Sequence, residues 1–144
     1  MDAPKPIDPR GPRFNQGVIT AVLLVAFVGD WRWAVPLVGV VLLLGAAFGP
    51  RYGPFLRLYA EVIRPRLGPP AELEDPRPPR FASSVGAVFL AASSLAFLTG
   101  YAGIGWVLAL IVAVLAGLAA STGICVGCEV YTFMARRRGT ELVA

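Results

Sequence analysis

The 144-residue chain is 56% hydrophobic and only 15% charged, with a mean hydropathy of +0.67; an ordinary soluble domain carries about 25% charge. Its net charge is +4 and it has no histidine. The missing imidazole excludes a Ser–His pair, His-ligated haem, a histidine-based zinc or copper site and imidazole acid–base catalysis.

In chain order, residues 1–13 are rich in proline and charge, and are expected to be irregular or to lie along a surface. Asp2, Asp8 and four prolines, with no small-residue cleavage pattern after the apolar run, argue against a signal peptide. Four blocks then follow, 14–29, 33–48, 81–98 and 106–128, none with an Asp, Glu, Lys or Arg. Each covers or nearly covers the ~20 residues needed to cross ~30 Å of hydrocarbon, the first two being short. Soluble core helices would show a polar face every turn, which Val18–Val28 and Leu37–Leu44 lack. The pattern predicts an all-α membrane protein, a single domain over 1–144. It has four transmembrane helices paired as two hairpins, over about 14–30, 33–49, 81–99 and 105–128.

The first hairpin turns at Gly29-Asp30-Trp31-Arg32, with Trp31 and Trp33 suited to an interface belt. Asp30 reads as a turn residue, because no second carboxylate lies near it in sequence. Pro36 falls in the first turn of the second helix. Gly49-Pro50-Arg51-Tyr52-Gly53-Pro54 breaks that helix. Phe55, Leu56, Tyr59, Val62 and Ile63 then form one apolar stripe, with Arg57, Glu61 and Arg64 off it. That predicts a short amphipathic helix over about 53–65 in the cytoplasmic headgroup layer, or against a partner protein. Pro65 should end or kink it, leaving 66–80 as a Pro-rich linker.

A short internal repeat joins the halves. Pro12-Arg13-Phe14 and Pro79-Arg80-Phe81 open the two hairpins, Val18 and Val85 fall in matching places, and Trp33 and Trp106 begin the return helices. Small residues, including Gly86, Ser93, Ala113, Gly117 and Ser121, suit close helix packing rather than catalysis.

Twelve of the thirteen basic residues precede the first span, lie between the second and third, or follow the fourth; Arg32 is the exception. The positive-inside rule puts those segments, and both termini, in the cytoplasm, as expected of a multi-pass protein of a bacterial inner membrane. The charge is thus accounted for by anchoring, and no nucleic-acid partner is expected. No Asp, Glu, Lys or Arg is buried within a span, which disfavours an ion-coupled carrier.

Cys125 and Cys128, the chain's only two cysteines, remain as the candidate reactive groups. Their spacing puts them on one helical face or astride a helix start, within reach of a disulfide or a shared ligand. Three readings stand: thiol redox or sulfur transfer, half of a zinc site completed by a second copy, or inert packing. A break at Gly123 with a restart after Gly127, Thr122 serving as N-cap, would put the pair at a helix N-terminus that favours a thiolate. An unbroken helix would not, and Glu129 would oppose it. The cytoplasmic assignment predicts reduced thiols at rest.

The segments Asp8-Pro9-Arg10-Gly11-Pro12-Arg13-Phe14-Asn15-Gln16, Gly49-Pro50-Arg51-Tyr52, Leu58-Tyr59, Arg64-Pro65-Arg66-Leu67, Pro79-Arg80-Phe81 and Thr122 to Tyr131 resemble a domain-of-unknown-function family of integral-membrane proteins common in actinobacteria and related bacteria. The last segment is the most specific. The resemblance implies a small helical membrane protein with a Cys-x-x-Cys at its cytoplasmic end, associated with thioredoxin-like and rhodanese-like proteins. It implies no established activity, so only Cys125 and Cys128 carry over, as candidate reactive residues. Four-helix quinone-coupled disulfide oxidoreductases differ, because they use a second cysteine pair on the opposite side.

The expected function is therefore a membrane dithiol exchanging electrons or sulfane sulfur with such a partner. Cys125 would resolve and Cys128 attack, and no cofactor or protein-only metal site is expected. A small-solute or sulfur-compound permease and a non-catalytic scaffold stay open, as does a homo-oligomer.

Overall fold

The computed structural model describes residues 8, 10–48, 57–69, 73 and 77–139, and among these it is all helix and turn, with no strand. Helix α1 (Arg10–Gly29) and α2 (Ala34–Phe48) come first. A π-helical turn, Tyr59–Ile63, then runs directly into an α-turn, Arg64–Leu67; together these are α3. α4 (Arg77–Leu98), α5 (Ala102–Thr122) and α6 (Val126–Arg137) complete the order.

Several boundaries differ from expectation. α1 begins at Arg10 rather than about 14, because the Asp8 carboxylate accepts the Arg10 N–H at 2.9 Å and pairs with its guanidinium at 3.1 Å. Pro12 sits in that first turn, where a missing N–H costs nothing. α4 likewise starts four residues earlier than expected, at Arg77-Pro78-Pro79, inside the expected linker. α3 passes through Pro65 to Leu67, since the proline occupies the first turn of its last segment. Phe55, Leu56 and the break at 49–54 lie outside the described residues. The largest difference is at the fourth span: α5 stops at Thr122, and 126–137 is a separate helix.

α1, α4 and α5 are long and apolar enough to cross a membrane; α2, at 15 residues, is a shorter apolar helix. Only 28%, 22% and 33% of the residues in an 18-residue apolar stretch of α1, α4 and α5 are buried, so much of each apolar surface faces outward. Val28 is 86% exposed and Leu98 83%. Contiguous apolar surface on this scale suits hydrocarbon rather than water.

The internal repeat is legible in three dimensions. α1 packs on α5, and α2 packs on α4, so the first helix of each pair lies against the second helix of the other. At one constant sequence offset, Leu23 and Leu90 are both fully buried, as are Ala26 and Ser93. Both turns close the same way. Trp31 N–H donates to Ala26 O and Tyr101 N–H to Ala96 O, each at 2.8 Å, with Asp30 (φ 52°) and Gly100 (φ 89°) in the left-handed region. These are Schellman closures, and Asp30 tolerates the conformation as few side chains do. Phe14 meets Tyr59 at 5.6 Å between ring centres, and Phe81 meets Tyr131 at 5.5 Å. Each helix pair is therefore followed by an amphipathic helix that leans back on its first member.

The core runs through Ile19, Leu23, Val35, Val38, Leu42, Leu90 and Val112. Small residues admit close approach, as composition suggested. A Cβ on Gly86 would stand 2.9 Å from Leu42 Cδ1, and one on Gly117 would stand 3.2 Å from Thr20 Cγ2. The Ser93 hydroxyl donates to Gly105 O at 2.6 Å, a structural role.

Two polar clusters mark the ends of the bundle. At the α1–α2 turn, the Arg32 guanidinium and then the Trp106 indole N–H, at 3.1 Å, hold the Asp30 carboxyl below the usual carboxylate range. That agrees with a turn role for Asp30. At the other end, Asp8 receives Arg10 and the Tyr59 hydroxyl, while Arg10 also donates to Gly68 O at 2.9 Å. Burial alone would push the Asp8 carboxyl up; the hydrogen bonds and charge of Arg10, with help from Tyr59, outweigh it and bring it down. Burial first, then the Asp8 charge, pushes the Tyr59 phenol up.

Candidate functional site: the cysteine pair at the α5–α6 joint

Gly123 ends α5 in the left-handed conformation (φ 78°), with its N–H on Ala119 O at 3.0 Å. A Cβ is strained there, which explains a glycine at this point. Thr122 does not cap α6. Its hydroxyl donates to Leu118 O at 2.6 Å and accepts the Ile124 N–H at 3.2 Å, steadying the joint between the two helices.

Cys125 is the N-cap of α6. Its backbone is extended (φ −96°, ψ 111°), its carbonyl accepts the Glu129 N–H at 2.9 Å, and its Sγ accepts the Cys128 N–H at 3.3 Å. α6 therefore restarts at Val126, one residue before Gly127, with Cys128 in its first turn. The two cysteines are joined as a disulfide, with Cα atoms 5.1 Å apart. Both residues are half-buried, and Glu129 is exposed.

Gly127 has a packing reason. A Cβ there would meet Ala82 Cβ at 2.8 Å and Ala82 Cα at 3.0 Å. Without one, the first turn of α6 settles on α4, and Phe81 against Tyr131 fixes the next turn. The glycine between the cysteines serves the docking of the helix that carries them.

Two small cavities adjoin the pair. One, of about 80 Å³, lies between Gln16, Ala82, Phe89, Ala116 and Cys125. The other, of about 60 Å³, is bounded by Arg13, Gln16, Pro79, Gly123, Cys125 and Cys128. Each has room for two or three waters at ~30 Å³ apiece. Cys125 faces both, whereas Cys128 borders the outer one only. Sequence reasoning missed Arg13 and Gln16. The repeat had flagged Arg13, and Gln16 is a strongly polar residue inside an uncharged block, the signal that was there to use.

Among the described residues no three His, Cys, Asp or Glu side chains gather as a metal site. Any zinc held by Cys125 and Cys128 would need ligands from beyond those residues.

An all-helical chain with three membrane-length apolar helices and a dicysteine at a helix joint has the build of a membrane protein. The chain belongs to the family described as Domain of unknown function (DUF4395), which matches residues 7–136. That span takes in the cysteine pair and most of α6. No curated protein and no solved structure matches the chain.

Proposed function

We propose that the protein is a membrane-embedded dithiol–disulfide exchanger whose reactive pair is Cys125 and Cys128. The observation that carries this reading is the seat of Cys125 at the N-cap of α6, where a backbone N–H already points at its sulfur. A thiolate released there meets the positive end of the helix, and the better-stabilised thiolate leaves faster in exchange.

The steps balance as follows. A thiolate of a thioredoxin-like partner attacks Cys128 Sγ, the sulfur that borders only the outer cavity. The Cys125–Cys128 bond breaks, and Cys125 leaves with the electron pair. The partner's second thiolate then attacks its own sulfur in the mixed disulfide and releases Cys128, which takes up a proton. The partner is oxidised and the pair reduced. With a rhodanese-like partner, the reduced pair accepts the outer sulfur of a persulfide and the donor leaves as a thiolate.

Four spans in two hairpins, with both ends and the α5–α6 joint at the cytoplasmic face of a bacterial inner membrane, give this chemistry its location. The basic residues on the segments preceding α1, between α2 and α4, and at the end of α6 support that orientation. α2 spans with local thinning of the bilayer.

Trapping tests the assignment of roles. Cys125→Ser leaves Cys128 able to attack without a resolving thiol, and should form a mixed disulfide with a thioredoxin-like protein that lacks its own resolving cysteine and is supplied as its mixed disulfide with thionitrobenzoate, which departs as the thiolate. Cys128→Ser should not. No adduct from either variant would end this reading.

A further inference from the structure

Resting on that reading, we infer that α1 supplies the polar half of the exchange site, with Arg13 as the positioning residue for the departing Cys125 sulfur and Gln16 beside it. The two halves of the fold provide the comparison that singles out Arg13. Its counterpart Arg80 is fully used in structure: Nε donates to Ala46 O at 3.0 Å and Nη2 to Ala47 O at 3.1 Å, closing the end of α2. Arg13 occupies the matching place at the end of α5, where it lies over Gly123, its Cζ 3.6 Å from where a Cβ would stand. It makes no hydrogen bond or ion pair with any described residue. Arg13 thus holds the matching place without the carbonyl partners that Arg80 has.

In place of those partners it has the disulfide. Arg13, Gln16, Cys125 and Cys128 border one cavity of about 60 Å³, and Gln16 also borders the inner cavity that Cys125 faces. The Gln16 amide, too, has no hydrogen-bond partner among the described residues. A guanidinium and a free amide therefore border the same cavity as the one sulfur that the proposed step turns into an anion. Charge close to a developing thiolate accelerates its departure, and an amide N–H adds a donor to the one that Cys128 N–H already provides.

The other charged groups near the joint do not supply this. Glu129 is exposed on the first turn of α6, and Arg136, Arg137 and Arg138 lie at or beyond its far end. Arg80, at the start of α4, is committed to α2.

The test uses the full-length protein in native membranes or nanodiscs. The disulfide is opened with dithiothreitol and followed by mass-tag alkylation, and the reduced pair is alkylated with iodoacetamide across pH 5–10. Arg13→Gln should slow disulfide opening about tenfold and move the alkylation profile of Cys125 to higher pH by about one unit, the low end of what an opposite charge does. Arg13→Lys should restore most of both. Gln16→Leu should slow opening by a smaller factor. Arg80→Gln, which disturbs the equivalent helix end in the other half, should leave rate and profile unchanged. An Arg13→Gln profile that coincides with wild type, or one that Arg80→Gln reproduces, overturns the inference while leaving thiol exchange intact. A wild-type disulfide inert to dithiothreitol overturns both.

Discussion

Gly127→Ala tests whether the site is built by docking α6 on α4. The added Cβ would stand 2.8 Å from Ala82 Cβ and 3.0 Å from Ala82 Cα, whereas carbon atoms rest at about 3.5–4.0 Å. The first turn of α6 must therefore move off α4 by about 1 Å, and the Ala82 backbone cannot rotate away as a flexible side chain would. Overpacking of this kind costs about 1–3 kcal/mol. The better helix propensity of alanine returns up to about 1 kcal/mol, and less in a first turn. The expected net loss is about 1–2 kcal/mol, a fall of a few degrees in melting temperature. The melting of detergent-solubilised protein, followed by circular dichroism, reads this directly. Combining Gly127→Ala with Ala82→Gly removes the nearer of the two clashes and should recover part of the loss. A Gly127→Ala protein that melts at or above wild type, with unchanged disulfide opening, would refute the packing argument.

The Asp8–Arg10–Tyr59 cluster should make the hold of α3 on α1 depend on pH. The Asp8 carboxyl is lowered in the fold, so its contribution is present above the unfolded value of about 3.9 and lost as pH falls through the lower folded value. Protection factors for amide exchange across residues 57–67, corrected for the intrinsic pH dependence of exchange, should therefore be flat near neutral pH and fall only below about pH 4; a loss of protection between about pH 7 and pH 5 would refute it. The burial pattern separates core from lipid-facing residues of one helix. Leu90→Ala, at 0% exposure, should cost about 2–5 kcal/mol, whereas Leu98→Ala, at 83% exposure, should cost little; equal losses would contradict the packing described. If Cys125 and Cys128 work as an exchange pair, purified protein should carry well under about half a zinc per chain by elemental analysis; a stoichiometric half or more would favour a bridged dimer.

The helices were legible because long runs without charge leave few alternatives to a membrane-length helix. Their starts were less so: Asp8 reaching Arg10, and the prolines of the first turns of α1 and α4, extend helices into segments that read as irregular by composition. The fourth span was misread as continuous through 128 because Gly123 to Cys125 is as apolar as its surroundings. Hydropathy cannot register a left-handed glycine. Glycine and threonine beside the cysteines did signal a break, but not that Cys125 itself caps the new helix. The repeat was visible as Pro-Arg-Phe and the matched tryptophans. Its consequence, that Arg80 is tied to α2 while Arg13 faces the cysteines, emerges only from tertiary packing. Gln16 stands in α1, more than a hundred residues from the cysteines, and nothing in the sequence spacing ties it to them.

The most direct test of dithiol exchange is a stoichiometric titration of the wild-type protein in its membrane with a reduced thioredoxin-like protein. The oxidation state of both proteins would be followed by mass-tag alkylation. The account predicts that the Cys125–Cys128 disulfide opens as one equivalent of the partner becomes oxidised, and that a partner lacking its own resolving cysteine stops the reaction at a mixed disulfide with Cys128. A disulfide that stays closed while the partner stays reduced would contradict it.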